Sequence, residues 1–137
     1  NETLANYDEG TWTITLVSSG GGAPTYSVQD CAYTRIGRKV SITMKLTITS
    51  KGTLGAGNLS FSGLPLTVNA SFDGATAFST IKDVTFAAND RQFLARLQAG
   101  GTTGAYFFVV TGAATDTVLV ADIGDAFVAD GVGHYFI

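Results

Sequence analysis

The sequence predicts an all-β protein, an antiparallel β-sandwich of the jelly-roll kind with about eight strands. Three observations carry this. Apolar and polar residues alternate with a period of two, most plainly from Lys39 to Thr49. Glycine is abundant, 17 of 137 residues against two prolines, which suits many tight turns between short strands. No segment shows helical periodicity.

Residues 11–17 alternate, with Trp12, Ile14 and Leu16 on one face and Thr11, Thr13, Thr15 and Val17 on the other. That is a half-buried strand. Ser18 to Pro24 reads as a glycine-rich turn. Residues 30–36, with Tyr33, form a second strand, and Gly37-Arg38 a hairpin turn. In residues 39–49, Val40, Ile42, Met44, Leu46 and Ile48 share one face, a set that a period of 3.6 would scatter around a cylinder. Residues 50–57 are loop. Leu59 and Phe61 lie on a short strand ending at Gly63-Leu64-Pro65. Further strands are expected near 77–87, 91–98, 105–111, 117–123 and 132–137. No internal repeat or linker divides the chain, so it reads as one domain.

Two of these strands are apolar on both faces. In 105–111, Phe107 and Val109 point one way and Tyr106, Phe108 and Val110 the other. In 91–98, Phe93 and Leu97 share a face while Leu94 sits among Gln92, Arg96 and Gln98. A sandwich strand has one core face, so the second set needs a cover: a loop, or a neighbouring subunit. On the second reading Leu94, Tyr106, Phe108 and Val110 form a subunit interface.

Composition narrows the function classes. The net charge is −3 and charged residues are 14% of the chain, well below the usual ~25%. Such a surface is a poor match for nucleic acid or an anionic membrane. No apolar run approaches the ~18 residues of a membrane span. Cys31 is alone, so no intrachain disulfide forms; it reads as a buried thiol, with an intermolecular bridge the other reading. A chain starting at Asn1 reads as part of something longer, or as a processed product.

Catalytic and metal-binding frames are missing from the pattern. The single histidine, His134, lies near the end of a terminal strand and reads as structural. No Cys or His pair has metal-ligand spacing, and no cofactor motif is present. Gly52-Thr53-Leu54-Gly55-Ala56-Gly57 is glycine-rich, but no lysine or helix follows, so it is a loop and not a phosphate cradle. After Arg96 the chain has no basic residue, while Asp116, Asp122, Asp125 and Asp130 follow. Their spacing is not that of an EF-hand, and they read as solvated turn residues. Sequons at Asn1, Asn58 and Asn69 are chance matches in a Ser/Thr-rich chain.

Four stretches carry a resemblance. "NYDEGTWTITL" resembles the tryptophan-containing opening motif of the C-terminal domains of bacteriophage tail fibres and tailspikes. "YTRIGRKVSITMKLTITSKG" resembles the hairpin and long strand that follow, "LSFSGLP" the next strand and turn, and "VGHYFI" the closing strand. Ile14 departs from the pattern, where proline often follows the Trp-Thr pair.

The resemblance implies a homotrimeric, non-catalytic module at the virion tail tip. It would trimerise the fibre and contact host bacterial surface polysaccharide, either lipopolysaccharide or capsule. A structural trimerisation cap without ligand, and part of a polysaccharide-degrading enzyme, are the alternatives. Residues 1–10 become a lead-in from a preceding shaft, with Asp8, Glu9 and Gly10 as a turn, and 11–137 the sandwich. Trp12 then plugs the edge of the core and needs one acceptor for its indole N–H. For the glycan, the polar loop Asn89-Asp90-Arg91 offers an amide, a carboxylate and a guanidinium to vicinal hydroxyls, with Tyr106 or Tyr26 as an apolar platform.

Overall fold

The structure, a computed structural model, describes residues 6–112 and 115–137. Ten strands run in the order β1 (Tyr7–Trp12), β2 (Thr15–Ser18), β3 (Thr25–Ile36), β4 (Lys39–Ser50), β5 (Leu59–Ser62), β6 (Gly74–Val84), β7 (Asp90–Leu97), β8 (Thr103–Val110), β9 (Asp116–Thr117) and β10 (Ile123–Phe136). A single 3₁₀ turn, Val120–Asp122, precedes β10. All pairings are antiparallel, in the order β1-β3-β4-β10-β6-β7-β8-β5-β2, with β9 beside β8. The all-β antiparallel expectation holds.

The sheet folds over on itself at one seam. β6 and β7 share only the pairs Gly74–Leu97 and Ala75–Arg96. One layer is therefore β1, β3, β4, β10 and β6; the other is β7, β8, β5 and β2, with β9. Their facing sides bury one core. The chain passes between layers at Thr13-Ile14, because β1 pairs with β3 while β2 pairs with β5. The alternation survives this step, and Trp12, Ile14 and Leu16 all stay buried. Trp12 donates its indole N–H to the Ala32 carbonyl at 3.2 Å, the acceptor its burial requires.

The long alternating strand is as the pattern implies: Val40, Ile42, Met44, Leu46 and Ile48 are all buried. Ile36 pairs with Lys39 across a two-residue turn in which Gly37 has φ +62°. Such hairpin turns need a left-handed residue, which glycine supplies without Cβ strain. At Gly104, a Cβ would land on the ring of Phe61, which is wholly buried and has nowhere to go.

Three expectations are corrected. Asp8, Glu9 and Gly10 are not a turn; they are extended in β1, opposite Arg35, Thr34 and Tyr33. Residues 1–5 of the expected lead-in, with the Asn1 sequon, lie outside the described residues. The expected strands at 117–123 and 132–137 are replaced by the two-residue β9 and one fourteen-residue strand, β10. The third correction is the facing of β8. Tyr106 is 1% exposed and Phe108 3%, while Phe107 and Val109 are the half-covered outer set. The register explains this: Phe93 and Ala95 lie opposite Phe108 and Tyr106, and all four point inward. Tyr106, Phe108 and Val110 therefore belong to the core and its edge, not to an outer interface. Leu94 does lie on the outer face, half-covered and opposite Phe107.

Core burial makes the tyrosines alkaline-sensitive. Tyr135 is buried, its hydroxyl accepts from the Leu66 N–H, and burial pushes its pKa from 10.0 to about 12. Burial pushes Tyr106 and, more weakly, Tyr26 the same way. The folded state thus keeps protons that the unfolded chain releases above pH 10.0. This contribution to stability is fully present below pH 10.0 and is lost as pH rises through about 12. Denaturation midpoints followed with tyrosinate absorbance across that window should fall together. Complete titration near pH 10.0 in intact protein would contradict it.

Candidate functional site: an acidic cleft at one end of the sandwich

The loop end of the sandwich holds a cleft of about 390 Å³. Four separate stretches build it. Asn58 precedes β5, Thr85 and Ala87 follow β6, Asp90 opens β7, and Asp116 to Asp122 spans β9 and the 3₁₀ turn. Phe108 and Leu119 supply the apolar part of the wall.

Its acceptors are held in place by the backbone. One carboxylate oxygen of Asp90 accepts from the Ala87 N–H at 2.7 Å, and one of Asp122 from the Leu119 N–H at 2.8 Å. Each carboxylate keeps its other oxygen for a ligand. Asp116 is exposed on β9. Among the described residues no three His, Cys, Asp or Glu side chains are grouped closely enough to hold a metal ion. The carboxylates are thus separate acceptors rather than a chelate. Beside them Phe86 is 45% exposed, and its ring centroid lies 5.2 Å from that of Phe108. The cleft therefore combines carboxylates, an amide and two hydroxyls, with the exposed Phe86 ring packed against the wall residue Phe108.

The residues expected at the site divide. Asp90 lines the cleft. Asn89 is exposed beside it, and its carbonyl accepts from the Thr111 N–H at 3.1 Å. Arg91 is bound through Nε to the Thr111 hydroxyl at 2.6 Å and does not line the cleft. Tyr26 is half-buried, and its hydroxyl accepts from the Leu16 N–H at 2.8 Å, far from β7 in the sheet order. Tyr106 lies in the core and cannot be a glycan platform. The exposed aromatic ring nearest the cleft is that of Phe86, packed on Phe108. The sequence placed it inside the expected strand 77–87, which ends at Val84, so nothing local marked it as exposed. Of the acidic C-terminal run, Asp116 and Asp122 reach the cleft. Asp125 instead accepts from the Lys51 N–H and Asp130 from the Leu46 N–H.

Two other features lie away from the cleft. A shallow trough of about 420 Å³ crosses the outer face of the β4-β10-β6 layer. Its floor is made of small side chains such as Ala32, Ala75 and Ala77, with Tyr33, Lys39 and His134 also on its lining. The glycine-rich loop uses its amides internally: Thr53 and Gly55 donate to Ala23 and Gly21. His134 is exposed on β10, opposite Ser41 and Ala75, at the other end of the layer from the cleft.

Tyr106 tests the distinction between core and site. Its hydroxyl is buried and has no hydrogen-bond partner among the described residues. Removing an unsatisfied buried hydroxyl relieves a desolvation cost. Tyr106→Phe should leave stability unchanged or raise it by about 1 kcal/mol in denaturant titration, and should leave ligand binding intact. A loss of more than about 1 kcal/mol would show that the hydroxyl has a partner.

No family model matches the chain, and no curated protein matches it. Among solved structures, the crystal structure of the Dettilon tailspike protein (gp208) is similar, with a TM-score of 0.74 and 15% sequence identity. The likeness covers 95% of this chain and 23% of that one, so the chain spans about a quarter of that protein's length. At this identity, what the two chains share is the fold.

Proposed function

We propose that the chain is a non-catalytic module of a phage tail that binds host bacterial surface polysaccharide through the acidic cleft. The observation that carries this is the exposed ring of Phe86, packed on the cleft residue Phe108, near the fixed acceptors Asp90 and Asp122 and the exposed Asp116. A pyranose has an apolar C–H face and a rim of hydroxyl donors, and the cleft offers a counterpart to each. Similarity to a tailspike protein supports the tail setting. The position of His134, away from the cleft carboxylates, speaks against a histidine-assisted hydrolase there.

The natural test is a screen of bacterial polysaccharide fragments on a glycan array, followed by calorimetry. Phe86→Ala and Asp116→Ala should each weaken binding about tenfold, roughly 1–2 kcal/mol, without changing the fold. Unaltered affinity in both variants would remove the cleft from consideration. Depolymerisation of the bound polysaccharide by this chain would overturn the non-catalytic reading.

A homotrimer is the assembly this reading carries, and it also admits a structural cap without ligand. Leu94 and Phe107, paired on the outer face of β7 and β8, favour a covering copy. Sedimentation at micromolar concentration should return a trimer mass, lowered by Leu94→Lys. A monomer mass would sink the assembly while leaving the cleft untouched.

A further inference from the structure

We propose a second binding site, at the hairpin end of the sandwich opposite the acidic cleft, for an anionic sugar: a pyranose carrying a carboxylate or a phosphate. Register places its parts together. Ile36 pairs with Lys39, and Lys39 with Phe136, so these neighbours lie in one cross-strand row on the outer face. Beside the row, Phe72, Phe136 and Arg38 line a cavity of about 360 Å³. Phe72 is 63% exposed and Phe136 46%, an unusual exposure for two phenyl rings at one cavity.

The side chains are presented by a fixed backbone. Asn69 donates its N–H to the Phe136 carbonyl at 2.7 Å, and its own side chain accepts from the Ser71 N–H at 2.9 Å. That turn ties the segment carrying Phe72 to β10. Arg38 and Ile137 bond reciprocally: Ile137 N–H donates to the Arg38 carbonyl at 2.9 Å, and Arg38 Nε donates to the Ile137 carbonyl at 3.0 Å. Preorganised groups lose less freedom on binding.

Charge decides the ligand class. Arg38 is the cation at the cavity, and Lys39 stands in the adjoining cross-strand row, in a protein of net charge −3. The nearest acid in this segment, Asp73, is engaged by Arg96 at 3.5 Å and by the Ala99 N–H at 3.0 Å. Asp8, opposite Arg35 on β1, accepts from the Tyr33 hydroxyl at 3.1 Å. Among the described residues no Asp or Glu carboxylate lies within 4.0 Å of the Arg38 guanidinium or the Lys39 ammonium. The Arg38 Nη groups suit a forked contact with a carboxylate or phosphate, and the phenyl rings suit the C–H face of the sugar. The acidic cleft, by contrast, would repel such a ligand.

The test uses three probes on the intact chain: a galacturonate trimer, a hexose 6-phosphate and neutral maltotriose. Ligand-observed NMR and calorimetry give the affinities. At least one anionic probe should bind, more weakly as salt is added, and the better of the two identifies the anionic group. Arg38→Gln and Phe136→Ser should each weaken it about tenfold or more, with unchanged circular dichroism. Phe86→Ala, in the other cleft, should leave it unchanged, so the two sites stand or fall separately. The proposal is overturned if neither anionic probe binds, if maltotriose binds as well, or if affinity survives Arg38→Gln. It is equally overturned if Phe136→Ser lowers the sedimentation mass, which would assign the face to another copy of the chain.

Discussion

The two layers are joined through the ring of Tyr106. Its centroid lies 5.2 Å from Phe61 and Phe93, 6.1 Å from Phe78 and 6.2 Å from Phe127. Phe61 and Phe93 come from the β5-β7-β8 layer, and Phe78 and Phe127 from the β10-β6 layer. Tilted and edge-on contacts of this kind add to the burial of the rings themselves. β6 and β7 share so few backbone pairs that the sheet could open at that seam. The aromatic cluster holds it closed. Truncating such a ring in a packed core typically costs about 3–5 kcal/mol, which is why the hydroxyl of Tyr106 can remain unpaired without unfolding the protein.

Everything at the two ends of the sandwich follows from that closure. The layers diverge where β6 ends and β7 begins, and the gap becomes the acidic cleft, with Phe108 of the core reaching its wall. At the opposite end the β3–β4 hairpin and the end of β10 are bonded together, leaving Phe72 and Phe136 against solvent. The rigid middle thus presents two chemically opposite ends, carboxylates at one and guanidinium with phenyl rings at the other. In a sandwich the strands fix where loops emerge, and the loops carry the recognition groups.

Legibility in the sequence followed the contrast between faces. β4 could be read because every outward residue is polar and every inward one apolar, so one register alone buries the right set. β8 could not be assigned a face, because both faces are apolar and alternation fixes only which residues go together. Only the last part of β10, 132–137, was read as a strand, because Gly124, Asp125, Asp130 and Gly131 look like turn residues; both flanking strands, β4 and β6, supply the pairing that keeps it extended. Asp8-Glu9-Gly10 failed for the same reason, with β3 as the partner. At the cleft, Asp90 was legible as part of a dense polar turn. Asn58, Thr85, Asp116 and Asp122 were not legible as a group, because nothing local joins residues so far apart in the chain.

The sequence by itself determined the fold class, the inward faces of β2, β4 and β5, the Gly37-Arg38 hairpin and the burial of Trp12. These follow from side-chain period, turn chemistry and hydrophobicity, which act over a few residues. Only the tertiary structure decided the facing of β8, the single long β10 and the assembly of both end sites. Those depend on which strands lie side by side, and strand pairing joins residues distant in sequence: β10 meets β4 through His134 and Ser41, and Asp90 meets Asp122 only across the folded sheet. A period of two states which side chains share a face; the partner strand states which face is inside.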